Sequence, residues 1–131
     1  MDYAVRRKLL AALDAGEVPG VDETGAAKLL VVSRVLRARR DHPDWFSGYE
    51  PVAVTGSAAD HVVAFDRGGV VPVATRLPVG LARDGWDETA LQLPNGPWRD
   101  LLTGERLVST AAGIPVYAVL AHLPVALLIR D

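Results

Sequence analysis

The sequence predicts a mainly β chain: two N-terminal helices, then an antiparallel β-sandwich or a partly open Greek-key barrel. Three observations predict it. Up to residue 44 apolar residues recur at helical spacing. Beyond it, short runs rich in Val, Ile, Phe, Tyr and Trp are cut by Gly, Pro and Asn. Helical and strand-like stretches do not alternate, so neither a βαβ unit nor a Rossmann-type site is expected. The chain divides on this reading into a helical connector, residues 1–44, and an all-β domain, residues 45–131.

Asp2 to Ala15 reads as the first helix, with Asp2 as N-cap and Gly16 as stop. Tyr3, Val5, Leu9, Leu10 and Leu13 fall in one arc, which makes it amphipathic. Pro19-Gly20 marks a linker. The second helix runs from about Glu23 to Arg40, with Asp22 or Thr24 as cap. His42-Pro43 ends it, because a residue before proline resists the α region. Its apolar residues Leu29, Leu30, Val31, Val32, Val35 and Leu36 spread around most of the helix, a pattern that calls for burial on more than one side. An exposed patch along Leu29, Val32, Val35 and Leu36 is therefore expected, with self-association through it. Arg34, Arg37, Arg39 and Arg40 crowd the end of this helix, where cations suit the helix dipole.

Strands are expected over residues 49–55, 61–67 and 70–77. Gly68-Gly69 makes a hairpin of the last two, and Pro72 implies an edge or a bulge. Residues 78–87 form a loop that carries Trp86. Residues 88–93 and 98–102 are expected to pair as a second hairpin about Pro94-Asn95-Gly96-Pro97, with Trp98, Leu101 and Leu102 entering the core. Arg106–Ser109 reads as a short strand, Ala111–Gly113 as a turn, and Pro115–His122 as either a short helix or irregular chain. The continuous apolar run Val125–Ile129 reads as a buried final strand.

With 131 residues the chain fits one domain with a real core. It has no cysteine, hence no disulfide framework, and a reducing cytoplasmic setting is expected. No apolar run spans a bilayer, and charge interrupts the apolar residues at the start, so neither a membrane span nor a signal peptide is expected. A net charge of −2 gives no pull toward nucleic acid or anionic membrane.

No constellation for catalysis stands out. His42, His61 and His122 lie in different elements, without metal-ligand spacing. Ser33, Ser47, Ser57 and Ser109 have no evident base. Asp84, Asp87 and Glu88 cluster beside Trp86, yet lack the regular oxygen offsets of a calcium loop, and a glycosidase pair among them depends on tertiary approach. No catalytic residue, metal site or cofactor is expected. Trp86 and Trp45 are the candidates for stacking on a sugar ring.

Leu36-Arg37-Ala38-Arg39-Arg40-Asp41-His42-Pro43, followed by Trp45-Phe46 and Gly48-Tyr49, resembles the last barrel helix and first β-domain strand of α-amylase-superfamily enzymes. Val63-Ala64-Phe65-Asp66-Arg67 resembles a later strand of the same domain. The likeness narrows to the maltooligosyl trehalose synthase family through Asp2-Tyr3-Ala4-Val5-Arg6, Asp60-His61-Val62-Val63-Ala64-Phe65 and Val73-Ala74-Thr75-Arg76-Leu77-Pro78. Leu93-Pro94, Trp98-Arg99-Asp100-Leu101-Leu102-Thr103-Gly104 and Leu123-Pro124-Val125-Ala126-Leu127-Leu128 complete it. The resemblance implies the C-terminal region of an intramolecular transglucosylase that turns the reducing-end linkage of a maltooligosaccharide into a terminal trehalose unit. It implies a retaining mechanism whose carboxylates lie on a (β/α)₈ barrel this chain lacks, so none is carried over. The implied partner is that barrel. The rival readings are a carbohydrate-binding module and a stand-alone interaction domain.

Overall fold

A computed structural model of the chain describes residues 3–20, 24–76 and 85–131. Asp2, Asp22, Glu23, Leu77 and Asp84, named above as caps, element ends or carboxylates, lie outside the described residues. The first helix, α1, is Tyr3–Asp14, and Gly16 stops it at φ 106° with its N–H on the Leu13 carbonyl at 3.0 Å. The second, α2, is Ala26–Asp41. Thr24 Oγ1 accepts the Ala26 N–H at 3.2 Å, satisfying one orphan donor of its first turn. His42 leaves helical geometry at φ −137°, and a 3₁₀ turn, Pro43–Phe46, follows. No helix among the described residues is long and apolar enough to cross a membrane.

Among the described residues nine strands follow: β1 (Glu50–Pro51), β2 (Val54–Thr55), β3 (Val62–Asp66), β4 (Val71–Thr75), β5 (Ala90–Leu91), β6 (Gly96–Asp100), β7 (Arg106–Ser109), β8 (Ile114–Pro115) and β9 (Val125–Arg130). A short helix, α3 (Val116–Val119), precedes β9 and resolves the ambiguity over residues 115–122. Six strands form one antiparallel sheet in the order β1-β3-β4-β9-β6-β7, and three form another, β2-β5-β8.

The large sheet has apolar cover on both faces. One face, with Val71, Val73, Trp98 and Leu128, packs against Leu91 and Ile114 of the small sheet and Val116 and Val119 of α3. The other, with Leu127 and Ile129, packs against Leu13 of α1, Leu30 of α2 and Leu102. Successive residues of a strand point to opposite faces, so β9 feeds Ala126 and Leu128 to one core and Leu127 and Ile129 to the other. That is why its sequence is apolar without alternation.

Three expectations change. The strand expected over 49–55 is broken: β1 pairs with β3 in the large sheet, while β2 pairs with β5 in the small one. The crossing takes place at Val52-Ala53, where the Val52 N–H bonds Ala64 O at 3.1 Å and the Gln92 N–H bonds Ala53 O at 2.9 Å. The hairpin expected between residues 88–93 and 98–102 does not form, because β5 and β6 lie in different sheets. Pro94 and Pro97 each remove a donor such a ladder would use. The tight hairpin is instead β6–β7, closed by Gly104 at φ 79° with its N–H on Asp100 O at 2.8 Å. Trp98 and Leu102 are buried as expected, Leu101 partly.

Pro72, finally, is neither at an edge nor at a bulge, for β4 lies between β3 and β9. The Thr75 N–H points toward β9, reaching Pro124 O at 3.0 Å, while the Arg76 N–H reaches His61 O at 2.8 Å on the β3 side. Counting back by two from Arg76, the Pro72 nitrogen faces β3, just past Val73, where the β3–β4 register ends. The pairing resumes beyond it, with the Arg67 N–H on Val70 O at 2.9 Å, so Pro72 leaves a single missing donor inside the β3–β4 hairpin.

Candidate functional site

The end of α2, the 3₁₀ turn after it and the β6–β7 hairpin enclose a cleft of about 430 Å³ that contains Trp45. His42 stacks on the Trp45 ring at 3.8 Å between centroids, the planes 8° apart, so one face of the indole is covered. Gly69 of the β3–β4 turn lies against the pyrrole edge: a Cβ there would overlap Trp45 Cδ1 and come 2.9 Å from Cγ. Gly69→Ala is expected to push Trp45 out of its seat and cost about 1–3 kcal/mol by overpacking. Chemical denaturation with tryptophan fluorescence checks this, and an unchanged midpoint would show that Trp45 moves freely.

Three arginines, Arg34, Arg37 and Arg99, line the cleft. The first two do more than complement the helix dipole. Arg34 Nη2 donates to Leu13 O at 3.0 Å, satisfying a carbonyl in the last turn of α1. Arg37 makes a bidentate pair with Asp14, at 2.6 and 3.3 Å. That guanidinium holds the Asp14 carboxyl below the usual aspartate range, and Asp14 in turn raises Arg37. Arg99 Nε is buried without a hydrogen bond, 3.8 Å from Asp131 Oδ1. Arg39 and Arg40 fill the last turn, where Arg40 holds Asp41 low. The cleft is thus a seam: its cations tie α1 to α2 and meet the carboxylate at the end of β9.

Trp86 lies elsewhere, half-buried against the core between the two sheets, so Trp86 and Trp45 do not share a site. The turn it opens, with the Thr89 N–H on Trp86 O at 3.0 Å, borders a second groove of about 360 Å³ lined by Asp87, Glu88, Val108 and Tyr117. Glu88 takes the Ser57 N–H at 2.7 Å and the Ser57 hydroxyl at 3.3 Å. Backbone N–H groups, its own and that of Ser57, hold its carboxyl low, while a hydrogen bond to Glu88 raises Asp87. With both oxygens of Glu88 taken by Ser57, this carboxylate serves as a loop tie. Glu88 and the buried Thr89, whose hydroxyl accepts the Ala58 N–H at 2.9 Å, fasten the loop at residues 56–58 to this turn.

The other polar residues singled out from the sequence have structural partners. Ser33, Ser47 and Ser109 donate to the carbonyls of Leu30, Asp44 and Leu93. His61 Nδ1 lies 3.3 Å from Arg76 O, and His122 Nε2 lies 3.2 Å from Glu105 Oε1. Among the described residues no three His, Cys, Asp or Glu side chains gather as metal ligands.

No family model matches the chain. Over its whole length it is 46% identical to proteins assigned as maltooligosyl trehalose synthase in two strains of Mycobacterium tuberculosis, of which it spans 16%. It also superposes along its whole length on maltooligosyltrehalose synthase from Arthrobacter ramosus, in two structures of which one carries a point mutation, at a TM-score of 0.90 and 47% identity, covering 17% of that chain. The chain is homologous to one segment of maltooligosyl trehalose synthase. It spans about a sixth of the length of these synthases.

The order of motifs that pointed to the synthases is thereby borne out, as is the mainly β, antiparallel fold with its leading helices. What sequence reasoning missed is the seam, formed by residues far apart in the chain. Its one local signal was a run of arginines longer than a helix end needs.

Proposed function

We propose that the chain is the non-catalytic C-terminal β domain, with its helical connector, of a maltooligosyl trehalose synthase in the α-amylase superfamily, and that it stabilises that enzyme's catalytic (β/α)₈ barrel. The observation that carries this reading is the match over the whole chain, at 46% identity, to only 16% of each relative. The polar side chains support it, since those described above hold turns and helices together rather than facing a substrate. Residues 1–44 are the connector and 45–131 the β domain, although Leu13 and Leu30 of the connector share a core with Leu127 and Ile129. The absence of cysteine suits a cytoplasmic enzyme.

Contact with a maltooligosaccharide falls in this reading to Trp86, half-buried and next in sequence to Asp87 of the second groove, before Trp45, one face of which His42 covers. The test is activity. Incubated with maltopentaose, the chain is expected to form no non-reducing trehalosyl product under conditions where a full-length synthase converts the sugar. Product formed by the chain alone would overturn the reading.

A further inference from the structure

The apolar patch expected along α2 is narrower than the sequence implies. Leu29 and Val35 pack against the core beneath the helix, whereas Val32 and Leu36 remain 42% and 59% exposed. Residues four apart share a helix face, so Lys28, Val32, Leu36 and Arg40 form one exposed stripe with Arg39 beside its end. The stripe is apolar in its middle and cationic at both ends. At its C-terminal end Asp41 is taken by Arg40 at 2.9 Å. The charge is regional: α1 and α2 carry eight basic and two acidic residues, in a chain whose net charge is −2.

A second copy of this chain does not fit such a surface. Laid antiparallel, two stripes set Lys28 against Arg39 and Arg40; laid parallel, they set each cation against itself. A complementary surface presents apolar side chains between carboxylates. About five-sixths of each relative lies outside the matched segment and is available to supply it. We propose that the Lys28–Val32–Leu36–Arg39 stripe docks onto an apolar strip flanked by carboxylates on the remainder of the synthase, and that the chain does not dimerise through it. This rests on the reading of the chain as part of a longer enzyme, and it replaces the self-association expected from the apolar residues alone.

The test compares the isolated chain with the full-length enzyme carrying this segment. Val32→Gln/Leu36→Gln, which keeps helix propensity, is expected to lower the full-length Tm by several degrees and leave the isolated chain's Tm within a degree or so. Lys28→Glu/Arg39→Glu is expected to lower the full-length Tm in low salt, with the loss at least halved in high salt, as screening requires. Sedimentation of the isolated chain in low salt is expected to give a monomer. Should the glutamine variant destabilise the full-length enzyme while the charge reversal does not, the carboxylate-flanked partner is wrong and the docking reading stands. Should both be silent, docking through this face falls as well. A dimer in low salt that the glutamine variant abolishes would overturn the proposal in favour of a second copy.

Discussion

Leu128→Ala is expected to cost about 3 kcal/mol and to lower the Tm by roughly 10 °C. Leu128 is wholly buried and lies mid-strand in β9, opposite Val71 of β4 on one side and Asp100 of β6 on the other. Its side chain enters the core that both sheets share, beside Val71, Val73 and Trp98. Ladders on both sides hold the backbone, so the walls of the new cavity cannot close in and most of the lost contact stays lost. Urea denaturation checks this, with a lowered midpoint and an unchanged slope as the expected signature. Val63→Ala, at a position 40% exposed in the neighbouring β3, is the control and should cost far less. A loss below about 1 kcal/mol at Leu128 would mean that β9 does not occupy the centre of the sheet.

Asp100 carries the second large effect, and its two substitutions diverge. Its carboxylate is almost entirely buried, and Oδ1 accepts the N–H groups of Leu102 at 2.9 Å and Leu127 at 3.2 Å. One oxygen thus sets the β6–β7 turn and ties it to β9. Asp100→Leu leaves both buried donors unpaired and is expected to cost about 2–5 kcal/mol. Asp100→Asn keeps the accepting oxygen and sheds the charge. Burial raises the Asp100 carboxyl above its usual 3.8, outweighing the hydrogen bonds from Leu102, Leu127 and Thr103 that favour the ion.

A carboxyl raised on folding binds its proton more tightly in the folded state. Its contribution is therefore most favourable below the ordinary aspartate value and is lost as pH climbs from there through the raised value. Asp100→Asn should remove that loss, leaving a chain at least as stable as wild type at neutral pH and a flatter profile on the acid side. Denaturation series across the acid range decide it. A wild-type stability that rises with pH where the asparagine variant stays flat would reverse the sign and sink the argument.

Sequence and structure agree where a signal is local. Both helices were legible because spacing and punctuation sit within a few residues of each other: the Tyr3–Leu13 arc closed by Gly16, and the apolar run before His42-Pro43. β9 was legible because burial on two faces writes itself as an unbroken apolar run. Sheet membership was not. Nothing within residues 50–55 says that Glu50 will face Asp66 while Val54 faces Leu91, since each partner is chosen by packing far along the chain. The 94–97 turn misled for the same reason: its residues suit a hairpin, but Trp98 pairs with Leu107 and Arg130 instead. At the seam, Trp45 could be named from its type. Its cover by His42, and the meeting of Arg34 with Leu13, follow only from how α1, α2 and the sheet come together.

The place of β9 bears on how the molecule is made as well as on how it holds. A ribosome delivers residues in order, and in this sequence the strand that emerges after all the others is the one that joins β4 to β6. Until it arrives, β1-β3-β4 and β6-β7 are separate ribbons, each with an open hydrogen-bonding edge and apolar side chains awaiting cover. The nascent chain therefore cannot complete its large sheet piecemeal. It waits with two adhesive edges exposed and closes in one late step, and translation halted before Val125 leaves a product suited to aggregate rather than fold.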